Sequence, residues 1–90
     1  MAAKVEVYSI VNCPFCTWAK ALLRRKNVDF IEHDLTELPT LELRERMMAL
    51  AGRRTVPQIV IDGQSIGGCE DLFALQESGE LDELLRAGEA

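Results

Sequence analysis

From Lys4 to Val11 polar and apolar side chains alternate (Lys-Val-Glu-Val-Tyr-Ser-Ile-Val), the period-two pattern of a strand with one buried face. The period then changes. Phe15, Ala19, Leu22 and Leu23 fall at i, i+4, i+7 and i+8, one apolar face of a helix. Pro14 sits at its first turn, where a helix tolerates proline, and Arg24, Arg25 and Lys26 suit its negative C-terminal end. Val28–Leu35 reads as a second strand. Thr36 or Thr40 is expected to cap the next helix, with Pro39 near its start. The apolar face of that helix is Leu43, Met47, Leu50 and Ala51, and Gly52 ends it. Thr55–Ile61 forms a third strand with Pro57 at its entrance, and Asp62-Gly63 turns it into a short fourth strand, Gln64-Ser65-Ile66. After Gly67-Gly68 a helix is predicted from about Glu70 to Ser78, and beyond Gly79 a last helical stretch from Leu81 to Ala87.

The order is β-α-β-α-β-β-α, with no repeat, linker or low-complexity segment. A strand, crossover helix and second strand imply a parallel pair with a right-handed connection. The hairpin adds antiparallel strands. The expected fold is therefore α/β: a mixed four-stranded sheet flanked by helices, one domain over residues 1–90.

An apolar share of 48% with 28% charged residues suits a globular chain. The net charge of −5 gives no general electrostatic reason to bind nucleic acid or anionic lipid. That charge is uneven: residues 1–61 carry nine basic and seven acidic side chains, residues 62–90 only Arg86 against eight acidic. The acidic tail reads as a solvated helix face. The sharper alternative is a polarised molecule whose basic side receives small anions or acidic partners. No apolar run approaches the roughly 18 residues of a membrane helix, and the first residues lack the apolar core of an export signal. A cytoplasmic protein without membrane contact is expected.

Three cysteines cannot all pair within one chain, so a disulfide scaffold is a poor reading. Cys13-Pro14-Phe15-Cys16 lies instead between a strand and a helix, the redox setting of this spacing. A helix N-terminus stabilises a thiolate through its unpaired N–H groups and its dipole. Cys13 lies just before that terminus, and Cys16, one turn on, can attack a mixed disulfide held on Cys13 and expel the partner. Cys13 is expected to be the more exposed thiol and Cys16 the more covered. Zinc would need four ligands. Only Cys69 and His33 remain, so no metal is expected.

The segments Val7-Tyr8-Ser9, Cys13-Pro14-Phe15-Cys16, Thr55-Val56-Pro57 and Gly67-Gly68-Cys69-Glu70-Asp71-Leu72 make the chain resemble a glutaredoxin over nearly its whole length. A thioredoxin would carry Trp-Cys-Gly-Pro-Cys, which is absent. The resemblance implies a thioredoxin-like fold and a monomeric, glutathione-dependent thiol–disulfide oxidoreductase. Its partners would be glutathione, as reducing co-substrate, and glutathionylated or disulfide-bonded proteins. Cys13 would be the nucleophile and Cys16 the resolving thiol. Glutathione would lie against Phe15, Thr55, Val56, Pro57, Gly68, Cys69, Glu70 and Asp71, with the Val56-Pro57 bond cis. The γ-glutamyl end would meet Gly68, Cys69 and Asp71.

Three positions depart from the family's usual residues. Ile10 stands where a lysine is common, and Arg53 or Arg54 is expected to supply the missing positive charge. Phe15 replaces a frequent tyrosine, and Glu70 a common aspartate. Two alternatives stay open: a thioredoxin-like electron donor to one reductase-fed enzyme, and an iron–sulfur cluster carrier. Cys69 reads as a small residue at a helix start, with an oxidation-sensitive thiol as the alternative. His33 reads as a strand residue near the surface, Trp18 as packing at the rim of the helix's apolar face with a docking surface as the alternative, and Met47 and Met48 as helix filling.

Overall fold

The computed structural model describes residues 3–51 and 56–87. Its elements are β1 (Val5–Ser9), α1 (Pro14–Arg25), β2 (Ile31–Asp34), α2 (Thr40–Ala51), β3 (Gln58–Ile61), β4 (Gln64–Gly67), α3 (Cys69–Ser78) and α4 (Glu80–Ala87). The sheet order is β2-β1-β3-β4. β1 and β2 are parallel, while β1–β3 and β3–β4 are antiparallel, the mixed four-stranded sheet the sequence predicts. The closing helical region is two helices, because Gly79 adopts φ 85° between them.

Strand ends and one cap differ from expectation, each for a local reason. β1 stops at Ser9 because the chain turns at Val11 and Asn12, the latter at φ 58°. The Val11 N–H is then taken by the Thr36 hydroxyl at 2.9 Å. Thr36 is thus not a helix cap: its own N–H and O–H both donate to the Asp34 carboxylate. α2 instead follows Pro39, whose carbonyl accepts the Leu43 N–H at 2.9 Å. β2 starts at Ile31 rather than Val28 because Val28 donates its N–H to Leu23 O at 3.0 Å, closing α1 through Asn27 at φ 58°. β3 starts at Gln58, after Pro57. The Asp62-Gly63 turn has both residues at positive φ, 50° and 81°, as a tight hairpin requires.

Val5 and Val7 of β1, Ala19, Leu22 and Leu23 of α1, Ile59 and Ile61 of β3, Leu72 of α3 and Leu81 of α4 form the core. Phe15 does not join it. It is 50% exposed, and Cys16, at 1%, heads the buried face of α1 in its place. Met47 is buried as expected, while Met48 is exposed. Gly52 lies outside the described residues, and the predicted α2 face is described at its side chains only for Leu43 and Met47.

Candidate active site

The start of α1 is built around Cys13. As N-cap it has extended backbone (φ −113°, ψ 102°), and its Sγ accepts the Cys16 N–H at 3.2 Å. Its carbonyl accepts the Thr17 N–H at 3.1 Å. Sulfur therefore occupies the position a serine or aspartate oxygen takes in an ordinary cap, in the field that favours an anion. The first turn carries no acidic side chain to oppose it. Cys13 and Cys16 are joined as a disulfide with Cα atoms 5.2 Å apart, a span a disulfide bridges without backbone movement. Cys13 is half-buried and Cys16 buried, the asymmetry expected from their places on the helix.

Beside this turn lies a cavity of about 270 Å³ lined by Phe15, Val56, Pro57, Gly68, Cys69, Glu70 and Asp71. Three distant segments thus converge, and the Val56-Pro57 bond is cis. The corner is set by α3. Gly68 is its N-cap, and Asp71 Oδ2 accepts the Gly68 N–H at 2.9 Å, the half of a capping box that the third helical residue supplies. Gly67, at φ 104°, is required on two counts: the left-handed backbone, and the Asp71 carboxylate, which a Cβ there would overlap. A Cβ on Gly68 would stand 3.3 Å from Pro57 O. The two loops bordering the cavity therefore touch at backbone level. Gly67 is a site-building residue that the sequence reading placed only ahead of the helix and within the segment carrying the resemblance, without a role in the site; the Gly-Gly pair ahead of Cys-Glu-Asp was its signal.

Cys69 is 7% exposed. Burial, reinforced by the Glu70 charge, pushes its thiol above the usual cysteine range. It is therefore a protonated wall residue and a poor nucleophile. Arg53, Arg54 and Thr55 lie outside the described residues. Ile10 is half-buried. His33 lies on the sheet, its Nε2 3.3 Å from Glu6 Oε1 and its ring stacked on Tyr8 at 4.5 Å; it does not line the cavity. Trp18, read as packing, is 54% exposed and meets the Phe15 ring edge-on at 5.3 Å.

Behind the cysteines, α1 is tied to the sheet by a polar chain. The buried Ser9 hydroxyl donates to Glu32 Oε2 at 2.6 Å, and Lys20 Nζ reaches the same oxygen at 2.7 Å. The Lys20 hydrogen bond first, and that of Ser9 second, hold the Glu32 carboxyl below its ordinary range. Among the described residues no group of three or more His, Cys, Asp or Glu could hold a metal ion. No described helix is long and apolar enough to cross a membrane.

Residues 5–66 match the glutaredoxin family model. The chain is 51% identical over 87 residues to glutaredoxin 3 of Escherichia coli, covering 93% of this chain and 99% of that protein. It is 49% identical over 88 residues to a probable glutaredoxin of Synechocystis, covering 97% and 98%. The solution structure of a glutaredoxin from Brucella melitensis superposes with a TM-score of 0.82 at 46% identity, covering 97% of this chain and 92% of that one.

Proposed function

The chain belongs to the glutaredoxin family of thiol–disulfide oxidoreductases, and we propose that it reduces protein–glutathione mixed disulfides and protein disulfides at the expense of glutathione, as a cytoplasmic monomer. The observation that carries this reading is the Cys13 Sγ capping the exposed start of α1, beside a cavity of about 270 Å³ bordered by the start of α3.

Reduced Cys13 attacks the sulfur of the substrate disulfide as a thiolate. A Cys13–sulfur bond forms, the substrate's own S–S bond breaks, and the leaving thiolate takes a proton from solvent. With a glutathionylated substrate the group left on Cys13 is glutathione. A second glutathione thiolate then attacks that glutathione sulfur, giving glutathione disulfide and free Cys13. With a protein disulfide, Cys16 attacks the Cys13 sulfur, releases the reduced partner and closes the Cys13–Cys16 bond. Two glutathione molecules reopen it. Val56 and Pro57 would face the cysteinyl part of glutathione and Phe15 its side. The N–H groups at the start of α3 would receive the γ-glutamyl carboxylate, and Asp71 its ammonium.

The test is glutathione-dependent reduction of a small glutathionylated disulfide. Cys13→Ser should be inactive, while Cys16→Ser keeps substantial activity by the one-thiol route. Equal loss in both variants would contradict the reading and point to a two-thiol electron donor. Arg53 or Arg54 is proposed to replace the positive charge absent at Ile10: alanine at the responsible position should raise the apparent KM for glutathione. Unchanged kinetics in both variants would remove that assignment.

A further inference from the structure

Among the described residues six large apolar side chains are exposed, and three of them, Val11, Phe15 and Trp18, flank Cys13 and Cys16. Val11, 58% exposed, stands in the turn two residues before Cys13. Trp18 lies one turn along α1 from Phe15. Scattered exposed hydrophobics need no explanation, but a cluster around a reactive group does. Phe15 can be accounted for as a wall of the glutathione cavity. Trp18 and Val11 cannot, because neither lines it. Trp18 does not serve the core either: its described ring partner is Phe15, itself at the surface.

We propose that Trp18, with Val11 and the outer edge of Phe15, is a docking surface for a protein substrate, taking an apolar side chain next to the substrate's reactive cysteine. The inference rests on the oxidoreductase reading above. The occupant follows from continuity with the thiol. A protein sulfur bonded to Cys13 brings its neighbouring residues over the lip on which Cys13 lies, and that lip is apolar on the α1 side. The opposite side carries Glu70 and Asp71 at the start of α3 and is the side given to glutathione. An edge-to-face aromatic pair also presents contact area with few side-chain rotations to freeze on docking. Trp18 is thus a specificity residue, and glutathione itself does not use it.

The probes are two synthetic peptides, identical except for Leu or Ser beside their single cysteine. First, each peptide is activated as a thionitrobenzoate mixed disulfide and trapped on Cys16→Ser protein. Cys13 attacks the peptide sulfur, and thionitrobenzoate leaves as the thiolate. Trp18 is the chain's single tryptophan, so its quenching by acrylamide reads the surface directly. The Leu adduct should shield it by about twofold or more relative to the Ser adduct, as an anchor buried at an interface is shielded. Equal quenching in the two adducts overturns the proposal. Second, the peptides are glutathionylated and turned over with glutathione. Trp18→Ala should lower kcat/KM for the Leu peptide about fivefold or more, the loss expected of a truncated aromatic anchor. The Ser peptide and a small glutathionylated disulfide should be unaffected, and Trp18→Phe should restore much of the Leu-peptide rate. No loss, or equal loss on all three substrates, overturns the proposal. If wild-type protein turns over none of them, the enzymatic reading fails instead, and the trapping arm, which needs no turnover, still decides the docking surface.

Discussion

Helix α1 has a hollow at each end, and the larger one has the less reactive chemistry. At the C-terminal end a cavity of about 520 Å³ is bordered by Lys26, Asn27, Asp29, Asp82, Leu85 and Arg86. Its charges are matched. Lys26 Nζ lies 2.6 Å from Asp82 Oδ1, and that hydrogen bond holds the Asp82 carboxyl below its ordinary value. Arg24 and Arg25 already complement the helix end. At the N-terminal end the cavity is about 270 Å³, yet the first turn lacks an acid, a sulfur takes the capping place, and three large apolar side chains face solvent. One end uses its charges to fasten α4 to the body. The other leaves a helix dipole and, once the Cys13–Cys16 bond is reduced, a thiol available to a visitor. Function follows the unspent potential of the end, and the volume of the hollow is a poor guide to it.

The difference between the ends can be broken most severely at Gly67. Gly67→Ala places a Cβ at φ 104° and against the Asp71 carboxylate. Urea denaturation should show a loss of about 1–3 kcal/mol, with glutathione-dependent activity falling alongside. Asp71→Ala removes the side-chain cap of Gly68 and should cost about 0.5–2 kcal/mol; its kinetic signature should be a raised KM for glutathione.

The tie behind the cysteines is weaker. Glu32 is depressed below its ordinary 4.5 in the folded chain, so its contribution is fully present above that pH and is lost as pH falls through the lower folded value. Unfolding measured from pH 7 to 3 should show Glu32→Gln less steeply acid-sensitive than wild type. Since the Glu32 side chain is 36% exposed, the difference at neutral pH should stay below about 1 kcal/mol. Smallest of all is Asp82→Asn at the far end. Its carboxyl is also depressed, so its effect has the same sign with pH, and it should leave glutathione kinetics unchanged.

Much of this was readable in the amino-acid order because burial here is strongly periodic. Val5 and Val7, Ala19, Leu22 and Leu23, and Ile59 and Ile61 sit where alternation and helical spacing put them. The sheet, the Asp62-Gly63 turn and the redox placement of Cys13 and Cys16 follow. Element ends were less legible because they are decided by single hydrogen bonds from distant residues: Thr36 turns to Val11 and Asp34 instead of capping a helix. Helical spacing placed Phe15 on the buried face, but it could not show that Cys16 heads that face while Phe15 borders a cavity. Trp18 could not be decided between packing and docking for the same reason, since a rim position on a helical wheel does not say whether anything covers it. Gly67's role depends on the approach of Asp71, a contact no one-dimensional pattern encodes. The fit of residues 56–57 against 68–71 was expected only from the resemblance to glutaredoxins.

The N-terminal end of α1 singles out Cys13 among the three thiols of the reduced chain. The direct measurement is competitive alkylation of the fully reduced protein with limiting iodoacetamide at neutral pH, resolved by peptide mass spectrometry over time. Cys13, half-buried at the helix start, should be modified well before Cys16, which is 1% exposed, and before Cys69, whose thiol is raised by burial and by Glu70. Modification of Cys16 or Cys69 at the rate of Cys13, or faster, would contradict it.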